Sequence, residues 1–139
     1  MGDEFDYPVP IVRLIIADDR GRVLILRRHA ESEYGKGSWC LPGGKVDYGD
    51  TVEATVEKEL REETTLECTA MEFLFYQDSL PLEPGRMHGI NFYFKCIVSG
   101  EIELNDESSE YVWLGPDDLD GYDIAFRNDE ALRLFWKDS

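Results

Sequence analysis

The chain has 139 residues, with 14 lysines and arginines against 30 aspartates and glutamates, a formal net charge of −16. That length supports one domain with a real core and is too short for two. The acidic balance argues against nucleic-acid and anionic-membrane partners, which need a basic footprint, and no apolar run approaches the length of a membrane span. A small phosphorylated ligand is still admitted, because a bound divalent cation inverts the local field. The opening residues, MGDEFDYPVP, are acidic and lack the apolar core of a secretory signal. Cys40, Cys68 and Cys96 are scattered without metal-ligand spacing, which reads as buried free thiols in a reducing cytoplasm.

Taken in chain order, residues 10–17 (PIVRLIIA) and 22–29 (RVLILRRH) predict two strands around a hairpin turn at Asp18–Gly21. Both faces of the second strand are apolar, so its sheet should be covered on both sides. It ends in Arg27 and Arg28, which point to opposite faces. A polar loop, 29–38, leads through Trp39-Cys40-Leu41 into Pro42-Gly43-Gly44. A helix follows, with Asp50 as its expected N-cap and Glu53 completing a capping box. Further strands are predicted at 71–79, 88–98 and 107–114, the second alternating Ile90, Phe92, Phe94, Cys96 and Val98 with Asn91, Tyr93 and Lys95. A short helical turn at 116–119 precedes a terminal amphipathic helix, 128–136, with Ala131, Leu132, Phe135 and Trp136 inward. The order predicts a single α/β (α+β) domain over residues 1–139, a mixed sheet flanked by helices.

The stretch 41–66, LPGGKVDYGDTVEATVEKELREETTL, organises the rest. At about 100° per residue, Glu59, Glu62 and Glu63 fall within roughly one third of the helix circumference. Val52, Val56 and Leu60 form an apolar stripe overlapping one edge of that acidic cluster, while Glu57, Lys58 and Arg61 lie on the far side. Like charges at these spacings repel, and partial burial sharpens the conflict. A solvated acidic face is the bland alternative, but a hard cation, Mg²⁺ or Mn²⁺, would resolve the repulsion. Gly43-Gly44 reads both as the turn before a helix and as a close backbone approach to metal and phosphate.

This stretch resembles the Nudix box, G-x5-E-x7-R-E-U-x-E-E-x-G-U, with U an aliphatic residue. It runs from Gly44 to Leu66 in register, and Glu59, Leu60, Glu62, Glu63 and Leu66 match outright. Asp50 stands for the first glutamate, Lys58 for the arginine and Thr65 for the late glycine. A glycine at that last position would close the helix with positive φ, which a β-branched residue resists. The RVLILRR, SWCLPGG and EYVWLGPDDL segments extend the resemblance over essentially the whole chain.

The resemblance implies the Nudix α/β/α sandwich and hydrolysis of a nucleoside diphosphate linked to another moiety, by water attack on phosphorus with Mg²⁺ or Mn²⁺. It implies Glu59, Glu62, Glu63 and the Gly43 carbonyl as metal ligands. It places Arg28, and with it Gly44 and Lys45, near the substrate phosphates, although a surface arginine and a solvated lysine are the plain alternatives. The family keeps its general base either in the box, at Glu59, or in a later segment, where Glu110 is the matching glutamate. A nucleoside triphosphate is the expected substrate, with ADP-ribose or a nucleotide sugar as the alternative and a non-catalytic binding module as the reading from another class. No partner beyond the nucleotide is implied, though a homodimer is admitted. Tyr34, Tyr76 and Phe126 are candidates to stack on a base, and the loops 30–38 and 80–87 to carry specificity.

Overall fold

A computed structural model of the chain describes residues 7–31 and 37–137. The apolar runs flanking the first turn form β1 (Val9–Ile15) and β2 (Val23–Arg28). Asp18 shapes the turn, accepting from the Arg20 and Arg22 amides at 2.9 and 2.8 Å and pairing with the Arg22 guanidinium at 2.7 Å. The two strands meet only there, at an antiparallel bridge between Ala17 and Val23. They then part. β1 enters a four-stranded sheet and β2 a three-stranded one, so the expected hairpin is a junction between two sheets. The cause lies in their composition: Val12, Leu14, Ile15 and the whole of Val23–Leu26 are buried. A two-stranded ribbon could not cover strands that are apolar on both faces.

The remaining elements are β3 (Trp39–Cys40), β4 (Gly43–Lys45), α1 (Val52–Thr64), β5 (Glu67–Ser79), β6 (Gly89–Ser99), β7 (Ser108–Leu114), a 3₁₀ helix (Pro116–Gly121) and α2 (Asn128–Lys137). The sheets have the orders β4-β1-β6-β5 and β3-β2-β7. β1 runs parallel to β6 and every other pairing is antiparallel, which makes the larger sheet mixed. α1 closes one core, packing Val56 and Leu60 with Val12, Leu14, Leu24 and Leu26. α2 closes the other with Ala131 and Leu132 against Ile15, Ile25 and Tyr93, and Phe135 and Trp136 pack at its rim. The domain is therefore α+β, a mixed sheet flanked by helices. The polar phase of β6 faces the α2 layer instead of solvent, where Asn91 and Tyr93 are buried.

The ends of α1 differ from expectation at one residue each. The N-cap is Thr51, whose hydroxyl accepts from the Ala54 amide at 3.0 Å. Asp50 instead lies 3.7 Å from Lys58, which also pairs with Asp47 at 2.9 Å. Lys58 thus pins the loop that precedes the helix. At the other end Thr65 does adopt the left-handed conformation, φ 63°, and its amide donates to Arg61. Its hydroxyl donates to the Glu101 carbonyl at 2.7 Å, which offsets part of the cost of that backbone for a β-branched residue. Among the described residues no helix is long and apolar enough to cross a membrane. Cys40 and Cys96 are buried free thiols, and Cys68 is half-buried.

Candidate active site

Gly43 pairs with Arg13 across β4 and β1, which sets the glycine pair at the C-terminal half of α1. The Glu63 side chain is buried there and accepts from the Gly43 amide at 3.2 Å. A Cβ at Gly44 would fall 2.6 Å from the Glu59 carboxyl carbon, so only glycine leaves room for that side chain. At Gly43 a Cβ would overlap the Val12 carbonyl oxygen. The two glycines thus seat different things: one the strand pairing, the other a carboxylate.

Glu59 and Glu63 are hydrogen-bonded to each other. Burial is the main force raising both carboxyls, and it holds Glu63 well above the usual carboxylate range. With Glu59 and Glu63 hydrogen-bonded and desolvated together, the pair as a whole holds on to a proton more tightly than an exposed carboxylate does. Glu62 sits exposed on the same helix edge, and its charge adds to the field that raises Glu59. The sequence-predicted triplet is therefore brought together beside the glycines, with Glu62 at its solvent edge. Among the described residues no three acidic, thiol or imidazole side chains are drawn into a closed cation cage. The donor set nevertheless fits a hard divalent cation: crowded carboxylate oxygens, with Glu63 buried and Glu59 half-buried beside it.

The later acidic position falls elsewhere than expected. Glu110 lies opposite Arg27 across β7 and β2 and pairs with it at 2.8 Å, an exposed contact. A bulge between Arg27 and Arg28 shifts the register, so that Arg28 faces Ser108. Just before the bulge, the Glu107 carbonyl accepts from the His29 amide at 3.1 Å, and its carboxylate charge raises both Glu59 and Glu63. Glu107 is thus an acidic group whose field reaches the triplet. A strand pattern alone missed it because a one-residue bulge swaps which side chains share a face.

On the other side of the glycine pair opens a cleft of about 560 Å³. Arg28 and Lys45 line it with Gly43 and Gly44, and so do Leu80, Leu82 and Met87 from the 80–87 loop. Phe126 also lines it, whereas Tyr76 lies in a separate hollow and Tyr34 falls outside the described residues. Arg13 lines the cleft too, and no sequence pattern singled it out: it occupies a strand position that reads as core.

Residues 8–135 match the NUDIX domain family. A nucleoside triphosphatase, NudI, from Escherichia coli O139:H28 is 29% identical over 133 residues, covering 89% of this chain and 94% of that protein. Among solved structures, a MutT protein of Methanosarcina mazei superposes with a TM-score of 0.83 at 24% identity, over 96% of each chain. The NUDIX domain of Shewanella oneidensis NrtR, complexed with ADP ribose, gives 0.78 at 19% identity over 94% of this chain and 88% of that one. The carboxylate edge of α1, its glycine seat and the family match together identify the chain as a member of the Nudix hydrolase family, an enzyme that acts on pyrophosphate bonds.

Proposed function

We propose that the protein hydrolyses a nucleoside triphosphate to the monophosphate and pyrophosphate, with Mg²⁺ or Mn²⁺ held by Glu59, Glu62, Glu63 and the Gly43 carbonyl. The observation that carries this reading is the Glu59–Glu63 pair seated against Gly43–Gly44, a buried carboxyl and a half-buried one hydrogen-bonded to each other. A divalent cation bound there supplies charge neutralisation for the phosphate oxygens and acidifies the attacking water. Glu59 is placed to take that water's proton. It is hydrogen-bonded to Glu63, and partial burial raises its pKa above that of an exposed glutamate. Glu107 supports the triplet from the β6–β7 connection. Arg28 and Lys45 hold the phosphates in the cleft, and the Gly43–Gly44 backbone lets them approach closely. Buried Cys40 and Cys96 thiols suit a reducing cytoplasm.

The relative named as a nucleoside triphosphatase favours this substrate class. ADP-ribose is the second reading, favoured by the ligand of the NrtR domain. A panel of nucleoside triphosphates, ADP-ribose and nucleotide sugars, assayed with Mg²⁺ and with EDTA and with products identified, tests both. Triphosphate turnover that chelation abolishes and Mg²⁺ or Mn²⁺ restores is expected. Turnover surviving exhaustive chelation removes the metal assignment, and cleavage of ADP-ribose alone replaces the substrate.

A further inference from the structure

Phe126 and Arg127 are consecutive non-glycine residues in left-handed backbone, φ 60° and 56°. Such a turn is sterically costly and persists only where its surroundings fix it. Two tethers to the edge strand β5 do so here, and they are reciprocal. Gln77 Nε2 donates to the Arg127 carbonyl at 3.1 Å, and Arg127 Nη1 donates to the Asp78 carbonyl at 2.6 Å. Each side chain holds the backbone of the other segment. Glu130 keeps the Arg127 guanidinium in place, accepting from it at 2.7 and 3.3 Å. Asn128 Nδ2 adds a bond to the Phe126 carbonyl at 3.3 Å.

Gln77 is itself held in one orientation. Its Oε1 accepts from Asn91 Nδ2 at 3.1 Å and from the Tyr93 hydroxyl at 2.9 Å, both residues buried on β6. With the oxygen so engaged, the planar amide turns its nitrogen toward the Arg127 carbonyl. Gln77 is not among the residues lining the cleft. It borders the hollow on the other side of the turn, with Tyr76 and Leu134. Phe126 does line the cleft, and its ring centre lies 4.7 and 5.3 Å from the Arg13 and Arg28 guanidinium carbons. The ring goes where its backbone carries it, so its seat over the two guanidiniums depends on the tethers.

We propose that Gln77 is a positioning residue for nucleotide binding, with Arg127 as its reciprocal partner: from the β5 edge they fix the turn that sets Phe126 against Arg13 and Arg28. A turn released from either tether relaxes out of the left-handed region and takes the ring with it. The cleft wall is then competent only part of the time, and apparent affinity falls by the competent fraction. Chemistry at Glu59 and Glu63, on the other side of the glycine pair, is left as it was. The inference rests on the nucleotide-hydrolase reading and adds to it the device that shapes the binding cleft from outside.

The test is a double-mutant cycle. Gln77→Glu keeps an oxygen for Asn91 and Tyr93 and loses only the N–H donor facing the Arg127 carbonyl. Arg127→Met removes the other tether. In each, KM for the triphosphate that the substrate panel identifies should rise about three- to tenfold, the range of one lost hydrogen bond. The kcat should stay within about twofold. Phe126→Ala should raise KM as well, and adding Gln77→Glu to it should change KM by less than about twofold, since no ring is left to misplace. A through-space effect of the new charge would persist in that background, and a merely structural effect would lower Tm with KM unmoved. Calorimetric affinities for the α,β-methylene analogues of ATP and GTP with Mg²⁺ read the same cycle without turnover. Tether-dependent affinity without triphosphate hydrolysis would support the positioning role and overturn the proposed activity. Unchanged KM and affinity in folded Gln77→Glu overturn the positioning role, as does a rise that carries in full onto Phe126→Ala, or a Phe126→Ala protein that binds like wild type. Should Gln77→Glu fail to fold, the cycle of Arg127→Met with Phe126→Ala decides by the same outcomes. Wild type that neither binds the analogues nor hydrolyses a triphosphate overturns both readings.

Discussion

Gly43 and Gly44 are neighbours that a sequence motif treats alike, yet they should fail in different ways when given a methyl group. At Gly44 the new Cβ would meet only the tip of Glu59, 2.6 Å from its carboxyl carbon and 2.9 Å from Oε2. A flexible side chain can swing away, so Gly44→Ala should cost less than about 1 kcal/mol. For a domain of this size that is a fall in Tm of no more than about 5 °C. The displaced Glu59 can no longer hold its place beside Glu63, and a misplacement on the order of 1 Å costs about 10²-fold in rate. At Gly43 the Cβ would meet the Val12 carbonyl of the adjacent strand. Backbone cannot swing away, and a forced shift of a packed strand costs about 1–3 kcal/mol or more. Gly43→Ala should therefore lower Tm by about twice as much or worse. Thermal melts of both variants without metal, with kcat measured on the substrate the panel identifies, separate the cases. Full activity in Gly44→Ala would show that the seat of Glu59 is irrelevant to catalysis, and equal melting losses in the two variants would refute the division of labour between the glycines.

The raised Glu63 carboxyl has a pH signature. The folded state keeps a proton that the unfolded chain releases in the ordinary carboxylate range, so stability is greatest below that range and falls as pH rises through the raised folded value. Tm of the metal-free protein should drop over that window, and Glu63→Gln should flatten the drop. An unchanged slope in the variant would place the proton elsewhere. For the later acid, Glu107→Gln should slow turnover and be partly rescued by excess Mn²⁺, while Glu110→Gln, which breaks only the exposed Arg27 pair, should stay within about twofold of wild type. A deader Glu110→Gln enzyme at saturating metal would return the role to that residue. Thr65→Val keeps the branched side chain in its left-handed position and deletes the hydroxyl bonded to Glu101. It should lose about 1 kcal/mol, or about 3–5 °C in Tm, and no loss would mean that bond offsets nothing.

Periodicity and turn chemistry made most of the fold legible. The helix carrying Glu59, Glu62 and Glu63 follows from spacing alone, because an amphipathic stripe and a charged edge are both local patterns. What was not legible was set by pairing over distance. Nothing local tells β1 and β2 that they will leave their turn for different sheets; that depends on whether other strands cover them, and β6 and β7 arrive some seventy to ninety residues later. Glu107 was hidden for a related reason, since the bulge opposite Arg28 exists only in the paired state. Arg13 was hidden by its company. Surrounded by Ile11, Val12, Leu14 and Ile15, it reads as an interruption of a core strand, and only the sheet shows that it shares a face with Gly43 and reaches Phe126.

A chain with a formal charge of −16 has to manage its own field if it is to hold a polyphosphate. The far face of α1 does not help: Lys58 is engaged by Asp47 and Asp50, and Arg61 by Glu67 at 3.1 Å. Those exposed pairs contribute little stability, but they keep these cations away from the site. The cations that remain near the glycine pair, Arg13, Arg28, Lys45 and Arg86, fall on the cleft side, and the carboxylates fall on the α1 side. The glycines are the boundary between the two, with Glu59 and Glu63 on one side and the cleft on the other. On the proposed reading, a polyphosphate spanning that boundary would meet guanidinium on one side and, on the other, would need a cation between it and Glu59, Glu62 and Glu63. The same division explains why a strongly negative net charge says nothing against a small anionic substrate: the cations are gathered on the cleft side of the glycines.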